Sequence, residues 1–168
     1  LCGMEIHDPF APIMSERVLD TQNVPVSRRQ LQEAGLRIAC VDLPVDLADP
    51  DGDFLSKLDV AITAAVNMRT SHIRIHTLTK TEDGTVPEAM MKLLSECLFR
   101  AERAQVTLLL ETAGMFSDTN LLKNTLDTFA SDHLAALWDM HNTLYYVPTE
   151  IYGAEHPAWY REDKMQVC

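Results

Sequence analysis

The feature that most constrains the fold is a regular series of short apolar runs. They start near positions 36, 71, 106 and 134, at intervals of 35, 35 and 28 residues. Each interval leaves room for one helix, and a repeated strand plus helix is typical of βαβ units. Because such crossovers are right-handed, the sequence predicts a parallel sheet, either rolled into a (β/α)8 barrel or left open.

Five strands can be counted when the first residues are included. They are predicted at 1–6, 36–41, 71–76, 106–111 and 134–139. A complete barrel takes about 250 residues, and this chain has 168. We therefore expect an α/β fold, an incomplete (β/α)8 TIM barrel of about five βα units, in one domain (1–168) that is truncated at both ends. An open doubly wound sheet is the alternative.

Between the predicted strands, apolar residues recur at the spacing typical of amphipathic helices. Helices are predicted at 28–34, 53–67, 87–104 and 120–131. Residues 7–26 and 44–52 read as loops, and 143–168 as loop with room for one short helix.

Composition excludes some classes of function. A net charge of −11 argues against a nucleic-acid surface, because phosphates must be met by Lys and Arg. Small anionic substrates need only a local positive site and stay possible. No apolar run approaches the roughly 20 residues that span a bilayer, so we expect no membrane partner.

The four cysteines, Cys2, Cys40, Cys97 and Cys168, are widely scattered. Without a C-x-x-C pair, a zinc knuckle or thioredoxin-type site is not expected. Reduced thiols and a cytoplasmic location are the expectation, although the first residue is Leu1 and an N-terminal targeting signal is not tested by this sequence.

Two buried strands end in carboxylates, Glu111 and Asp139. A carboxylate at the end of a buried strand is costly to desolvate unless a cation or hydrogen bonds meet it. Glu111 is therefore a metal ligand or general base, or else a helix cap or the partner of an arginine. Asp139 and His141 face the same way if the strand continues and are good ligands for divalent metals. The alternative for Asp139 is a turn cap.

The strand at 71–76 alternates, so that Arg74 points away from Ile73 and Ile75. Arg74 either holds a substrate oxygen or phosphate or forms an ion pair inside the barrel with Glu5 or Glu111. On the same face, His76 is a weak candidate and His72, at the strand start, is expected to be structural.

Four pieces of sequence resemble the sugar phosphate isomerase/epimerase family, the xylose isomerase-like TIM barrels. They occur in the family's order and spacing between positions 1 and 142. They are Gly3-Met4-Glu5, Ile73-Arg74-Ile75, Leu108-Leu109-Leu110-Glu111-Thr112 with Asp118-Thr119, and Leu137-Trp138-Asp139-Met140-His141-Asn142.

The resemblance implies a divalent metal (Mn, Co, Zn or Mg) held by Glu, Asp, His and Glu from four successive strands. Glu111 would be the first ligand and also the proton-shuttling base, and Asp139 the second; the other two would lie on strands that this chain does not contain. Many members bind substrate with a His three residues after the Asp. That place is Asn142 here, so His141 is its substitute candidate, and Arg74 is a further substrate-binding candidate.

The implied function is a metal-dependent isomerase or epimerase of carbohydrate metabolism. It would act on a sugar or sugar phosphate by proton transfer next to a carbonyl. Two alternatives are an inactive fragment or non-catalytic binding module and an endonuclease IV-like phosphodiesterase, against which the net charge counts. A flavodoxin-like sheet would need a Gly-rich phosphate loop, which is missing. Exposed sheet edges predict a possible homo-oligomer.

Overall fold

A computed structural model describes residues 3–50, 52–81, 84–140 and 142. Five parallel strands form one sheet in which every strand pairs with its neighbour in sequence. The strands are β1 (Gly3–Ile6), β2 (Arg37–Asp46), β3 (His72–His76), β4 (Thr107–Glu111) and β5 (Leu134–Leu137). A doubly wound sheet reverses its strand order at a switch point. This order never reverses, as in the wall of a TIM barrel, so the expected incomplete barrel is confirmed and the open doubly wound alternative is wrong.

Helices connect the strands. They are α1 (Pro12–Ser15), α2 (Val24–Glu33), α3 (Phe54–Met68), α4 (Glu88–Ala104) and α5 (Thr119–Phe129), with a 3-10 turn at Gly114–Ser117. The start of α5 is fixed by Asp118, whose side chain accepts a hydrogen bond from the Asn120 backbone N–H at 2.9 Å, the usual cap for an otherwise unpaired amide.

Three boundaries differ from the sequence prediction. The predicted loop 7–26 contains α1 and the start of α2, since Pro25 lies in the first turn of α2, where its missing N–H costs no hydrogen bond. The predicted acidic loop 44–52 begins as strand, because β2 continues to Asp46 through a break in register after Asp42. At the other edge, β5 ends at Leu137, two residues earlier than predicted.

The core lies between the sheet and its helices. Alternate residues of the strands are buried there, and side chains from α3 and α4 pack against them. The fully buried apolar residues of the strands are Val41, Leu43, Ile73, Ile75, Leu108 and Leu110. The opposite face of the sheet, which would line the interior of a barrel, carries the polar side chains.

Among the described residues, none of the helices has the length and apolar character needed to cross a bilayer. Cys40 and Cys97 are both free thiols. The predictions for 143–168, for Cys2 and Cys168 and for His141 lie outside the described residues.

Candidate active site at the carboxyl ends of the strands

An ion pair between β2 and β3 forms the centre of the inner face. Asp42 and Arg74 are paired in the register of the two strands, so their side chains leave the sheet together. Arg74 Nε donates to Asp42 Oδ1 at 3.0 Å, and Arg74 Nη2 lies 2.9 Å from Asp42 Oδ2. Asp42 is fully buried, so its one charge-assisted hydrogen bond from Arg74 and the second, ionic contact both lie away from water.

Two histidines approach the same carboxylate. His7 Nδ1 lies 2.7 Å from Asp42 Oδ2, and His76 Nδ1 lies 3.7 Å from Asp42 Oδ1. The His76 distance is that of an ion pair and is too long for a hydrogen bond. Asp42 Oδ2 and His76 Nδ1 are buried and have no partner with hydrogen-bond geometry among the described residues. The close contacts of Oδ2 with Arg74 Nη2 and His7 Nδ1 therefore lack the geometry of directed hydrogen bonds.

These contacts fix the charge of the cluster. Burial alone would raise the pKa of Asp42, but His76 and Arg74 outweigh it and lower that pKa to about 2. The hydrogen bond to Asp42 raises the pKa of Arg74, and the neighbouring Asp42 also raises the pKa of His76. Asp42 is thus an anion at every physiological pH, and the positive forms of Arg74 and His76 are favoured.

Glu111 lies on the same face at the carboxyl end of β4. It is 8% exposed, and Arg74 Nε is 3.8 Å from its Oε2. Its Oε1 accepts a hydrogen bond from Asn142 Nδ2 at 3.3 Å. Burial raises the pKa of Glu111, and the negative charges of Asp139 and Asp42 raise it further, while Arg74 and His76 act in the opposite direction. Burial therefore destabilises the ionised form of Glu111, and a bound cation would offset part of this unfavourable free energy.

Thr112 joins the ends of β4 and β5. Its buried hydroxyl accepts a hydrogen bond from the Asp139 backbone N–H at 2.8 Å and lies 3.2 Å from the Asp139 carbonyl oxygen, to which it donates. The Thr112 backbone N–H also donates to the Leu137 carbonyl at 3.0 Å. Asp139 is held beside Glu111 by these bonds and not by continuation of the strand.

A tight turn after β4 packs against the loop after β3, next to the candidate site. Gly114 has φ of +53°, and a Cβ there would collide with the backbone of Thr77. The Thr77 hydroxyl donates to the Ala113 carbonyl at 3.2 Å, and the Met115 backbone N–H donates to the Thr79 carbonyl at 2.8 Å. Only glycine allows the loop after β4 to approach the loop after β3 this closely.

The structure brings four of the predicted site residues to one edge of the sheet: Glu111, Asp139, Asn142 and Arg74. Arg74 forms both of the ion pairs that sequence reasoning offered as its alternative, with Glu5 at 3.2 Å and with Glu111. The condition under which Asp139 and His141 were expected to share a face, a strand that continues beyond Trp138, is not met, since β5 ends at Leu137.

Sequence reasoning missed three residues of the site. Asp42, like Glu111, ends an apolar run at the carboxyl end of a strand, so the same signal was present for it. His7, two residues beyond Glu5, continues the inward-facing positions of β1. Thr112 belongs to one of the pieces that carry the resemblance, but its contact with the backbone of Asp139 could not be predicted, because it depends on how β5 ends.

The donor set fits a divalent cation in part. Glu111 and Asp139 are two carboxylates close enough for the charge of one to raise the pKa of the other, and hard cations such as Mg²⁺ prefer such oxygen ligands. Among the residues that the structure describes, no group of three His, Cys, Asp or Glu side chains is arranged to hold a metal ion.

Solved structures with the same arrangement of strands and helices are xylose isomerase-like proteins and sugar epimerases. A xylose isomerase-like TIM barrel protein from Mycobacterium smegmatis, in complex with magnesium, superposes with a TM-score of 0.64 at 13% identity, over 90% of this chain and 57% of that one. The fold is that of a xylose isomerase-like TIM barrel.

Two further structures show the range of chemistry among these neighbours. D-allulose 3-epimerase from Methylomonas sp. superposes with a TM-score of 0.58 at 16% identity, over 84% of this chain and 53% of that one. The probable 3-DHS dehydratase of Bacillus anthracis gives 0.68 at 14%, over 83% and 53%. The chain thus spans a little over half the length of the structures it matches.

No family model matches the sequence, and no curated protein matches it. At 13–16% identity the structures establish the fold and not the reaction.

Proposed function

We propose that this chain supplies part of the active site of a metal-dependent isomerase or epimerase. The substrate is a sugar or sugar phosphate, and the reaction is proton transfer next to its carbonyl. The observation that carries the proposal is Glu111, buried at the carboxyl end of β4 with a raised pKa and with Asp139 and Asn142 beside it. In TIM barrels, catalytic side chains occupy this end of the strands.

Glu111 is the proposed general base. A raised pKa makes a carboxylate a stronger proton acceptor, and the best catalytic pKa lies near the working pH. The Asn142 amide holds Oε1, so Oε2 is the oxygen left to receive a proton from substrate. Arg74, 3.8 Å from Oε2, favours the ionised form of the carboxylate and so opposes the effect of burial on its pKa.

Glu111 and Asp139 would also hold the divalent metal, with Thr112 keeping Asp139 in place. When bound, the ion would polarise the carbonyl and hydroxyl oxygens of the sugar. Two protein carboxylates and several waters suffice for Mg²⁺ but form a weak site. Any further protein ligands would come from outside the described residues.

Arg74 and Asn142 are the proposed substrate-binding residues, together with His141. The Arg74 side chain is 20% exposed, and its Nε and Nη2 face carboxylates. Its remaining amino group, Nη1, is the part available to a substrate oxygen. Sugar hydroxyls and phosphates are both acceptors that a guanidinium binds well.

Metal content of the purified chain tests the first half of this proposal. After dialysis against Mn²⁺, Co²⁺, Zn²⁺ or Mg²⁺, mass spectrometry should find bound metal that disappears in Glu111→Ala/Asp139→Ala. Glu96→Ala/Asp132→Ala, which removes two exposed carboxylates elsewhere, is the matched control and should retain the metal. Equal metal in all three proteins would refute Glu111 and Asp139 as ligands.

Proton exchange tests the second half. The protein is incubated in D2O with a panel of ketoses and ketose phosphates, and deuterium next to the carbonyl is followed by NMR. Exchange should depend on added metal and be lost in Glu111→Gln. Isomerisation without deuterium uptake would replace proton transfer by a hydride shift, and the absence of both reactions would favour the alternative below.

The second candidate is a non-catalytic binding module. It is favoured by one observation: Arg74 and Asp42 satisfy each other within the chain, with Glu5 as a further partner. A site whose charges are already paired binds a neutral sugar more readily than it catalyses a reaction. Sugar binding without metal, with an unchanged affinity in Glu111→Gln, would distinguish this module from the enzyme.

A further inference from the structure

A second concave site lies at the opposite end of the sheet from Glu111. It is a cavity of about 640 Å³ between α2, the start of β2 and the end of α3. Four arginines line it: Arg28, Arg29, Arg37 and Arg69. Cavities of about 300–1,000 Å³ are typical of small-molecule sites, and neither the candidate catalytic residues nor the proposed reaction makes use of this one.

The charge of this cavity contrasts with that of the whole chain. The chain has 14 basic residues and a net charge of −11, yet four of the basic residues line this one cavity and no described lining residue is acidic. All four are arginine, the side chain whose planar fork binds phosphate and carboxylate oxygens in pairs.

Most of these arginines lack an acidic partner within the part of the chain that the structure describes. Arg28, Arg37 and Arg69 form no ion pair with any described residue, and Arg29 makes only an exposed contact of 3.8 Å with Glu33. By contrast, Arg74 and Arg100 contact carboxylates. The positive charge of the cavity is therefore available to a ligand.

Stabilisation of helix ends does not account for the whole group. Arg69 follows the last residue of α3, where positive charge favours a helix carboxyl terminus. Arg37 is the first residue of β2 and lies four residues beyond the end of α2. Arg28 and Arg29, however, lie in the middle of α2 (Val24–Glu33), beyond the reach of that effect. They line the same cavity because of where α2 packs.

Part of the cavity lining is apolar. This part, called here the apolar floor, consists of Leu31, Leu36, Ile38 and Met68, of which Met68 is 5% exposed. An inorganic anion would leave this floor in contact with water. A ligand that has both an uncharged ring and several phosphates would cover the floor and meet the arginines.

We propose that this cavity binds a nucleoside polyphosphate. Its phosphates would contact the four arginines, and its base would lie on the apolar floor, where Arg side chains also stack well on aromatic rings. The proposal is independent of the proposed function, because it concerns the amino-terminal end of the sheet and none of the same residues.

Calorimetric titration of the whole chain tests it, with ATP, inorganic triphosphate and adenosine as probes. The buffer contains EDTA, so that no metal complex forms at Glu111. ATP should bind more tightly than triphosphate, adenosine should not bind, and the affinity for ATP should fall as salt screens the charges. Arg37→Gln/Arg69→Gln should weaken ATP binding at least tenfold.

Arg17→Gln/Arg103→Gln is the control, since it removes two exposed arginines outside the cavity and changes the net charge equally. Its ATP affinity should stay within twofold of the parent. Circular dichroism verifies folding, and Arg28→Gln/Arg29→Gln is the second variant should the first pair unfold. No ATP binding at millimolar concentration, equal losses in the cavity and control pairs, or equal affinity for triphosphate and ATP would overturn the proposal.

Discussion

The two faces of β3 show how differently the two sides of this sheet are stabilised. Ile73 and Ile75 face the helices and are fully buried, and the free energy that they contribute comes from the removal of apolar surface from water. Arg74 and His76 face the other way and are stabilised by specific partners, of which Asp42 is the central one. Adjacent residues of one strand thus depend on two different kinds of interaction.

The contrast explains which changes each face tolerates. An apolar core accepts another apolar side chain of similar volume at a small cost. A buried charge accepts no such exchange, because the removal of one partner leaves the other charge without compensation. The face toward the helices therefore sets the fold, and the face toward the barrel interior sets the chemistry.

The largest expected effect comes from removing the centre of the charged face. Asp42→Ala should lower the free energy of unfolding by about 3–5 kcal/mol, since Arg74, whose side chain is only 20% exposed, then loses its main partner. Urea unfolding measures the loss. Asp42→Leu/Arg74→Met, which removes both charges, should recover most of it. A double variant as unstable as the single one would show that shape and not charge matters there.

The next largest effect compares a glycine in a loop of the candidate site, Gly114, with a glycine in a turn at the other end of the sheet, Gly35. Gly114→Ala should cost about 2–3 kcal/mol, because the new Cβ strains a left-handed residue and collides with the Thr77 backbone. Gly35→Ala is the control: Gly35 has φ of +69° with open space around it, so strain alone should cost about 1 kcal/mol. Equal thermal shifts would contradict the close packing of the Gly114 turn.

The charged face should also make the free energy of unfolding depend on pH in the acid range. The pKa of Asp42 is lowered from 3.8 to about 2 in the fold, so its contribution, of about 2 kcal/mol, is present above pH 3.8 and is lost as pH falls toward 2. Unfolding free energy measured against pH should show this loss, and Asp42→Asn should remove it. Parallel curves for the two proteins would contradict the lowered pKa.

The smallest expected effect is a stabilisation, in contrast to the losses of stability predicted above. The raised pKa of Glu111 means that its charged form opposes folding, so this destabilisation is absent below its ordinary pKa and grows as pH rises through the raised value. Glu111→Gln should therefore stabilise the chain by about 1 kcal/mol at pH 7. The melting temperature measures the change, and a lower value for the variant would show that the Arg74 contact outweighs burial.

Much of the fold follows from the sequence because it depends on short-range pattern. The apolar runs of β3 and β4 and the helical spacing of α3 and α4 predict these elements to within about two residues. Prediction failed where tertiary contacts decide the boundary. β2 continues through Pro44 because of its break in register, and β5 stops early because Thr112 binds the backbone of Asp139.

The candidate site was predictable only in part. Glu111 and Asp139 are visible as carboxylates after apolar runs. The choice between substrate contact and ion pair for Arg74 was not, because it depends on the strand register that places Asp42 opposite Arg74. Register is a property of two segments, and neither segment alone reveals it.

The unbroken register between β4 and β5 has a consequence for how such a chain can vary. Leu108 pairs with Leu134 and Glu111 with Leu137, and the short turn 130–133 between α5 and β5 is anchored by His133, whose Nδ1 lies 2.8 Å from the Val106 carbonyl. One residue inserted in that turn would shift the register of β5 against β4 by one residue. The side chains of β5 that face the helices would then face the other side of the sheet. Insertions should therefore be harmful in the turns behind the sheet, whereas the loops in front of it can change length while Glu111 stays in place.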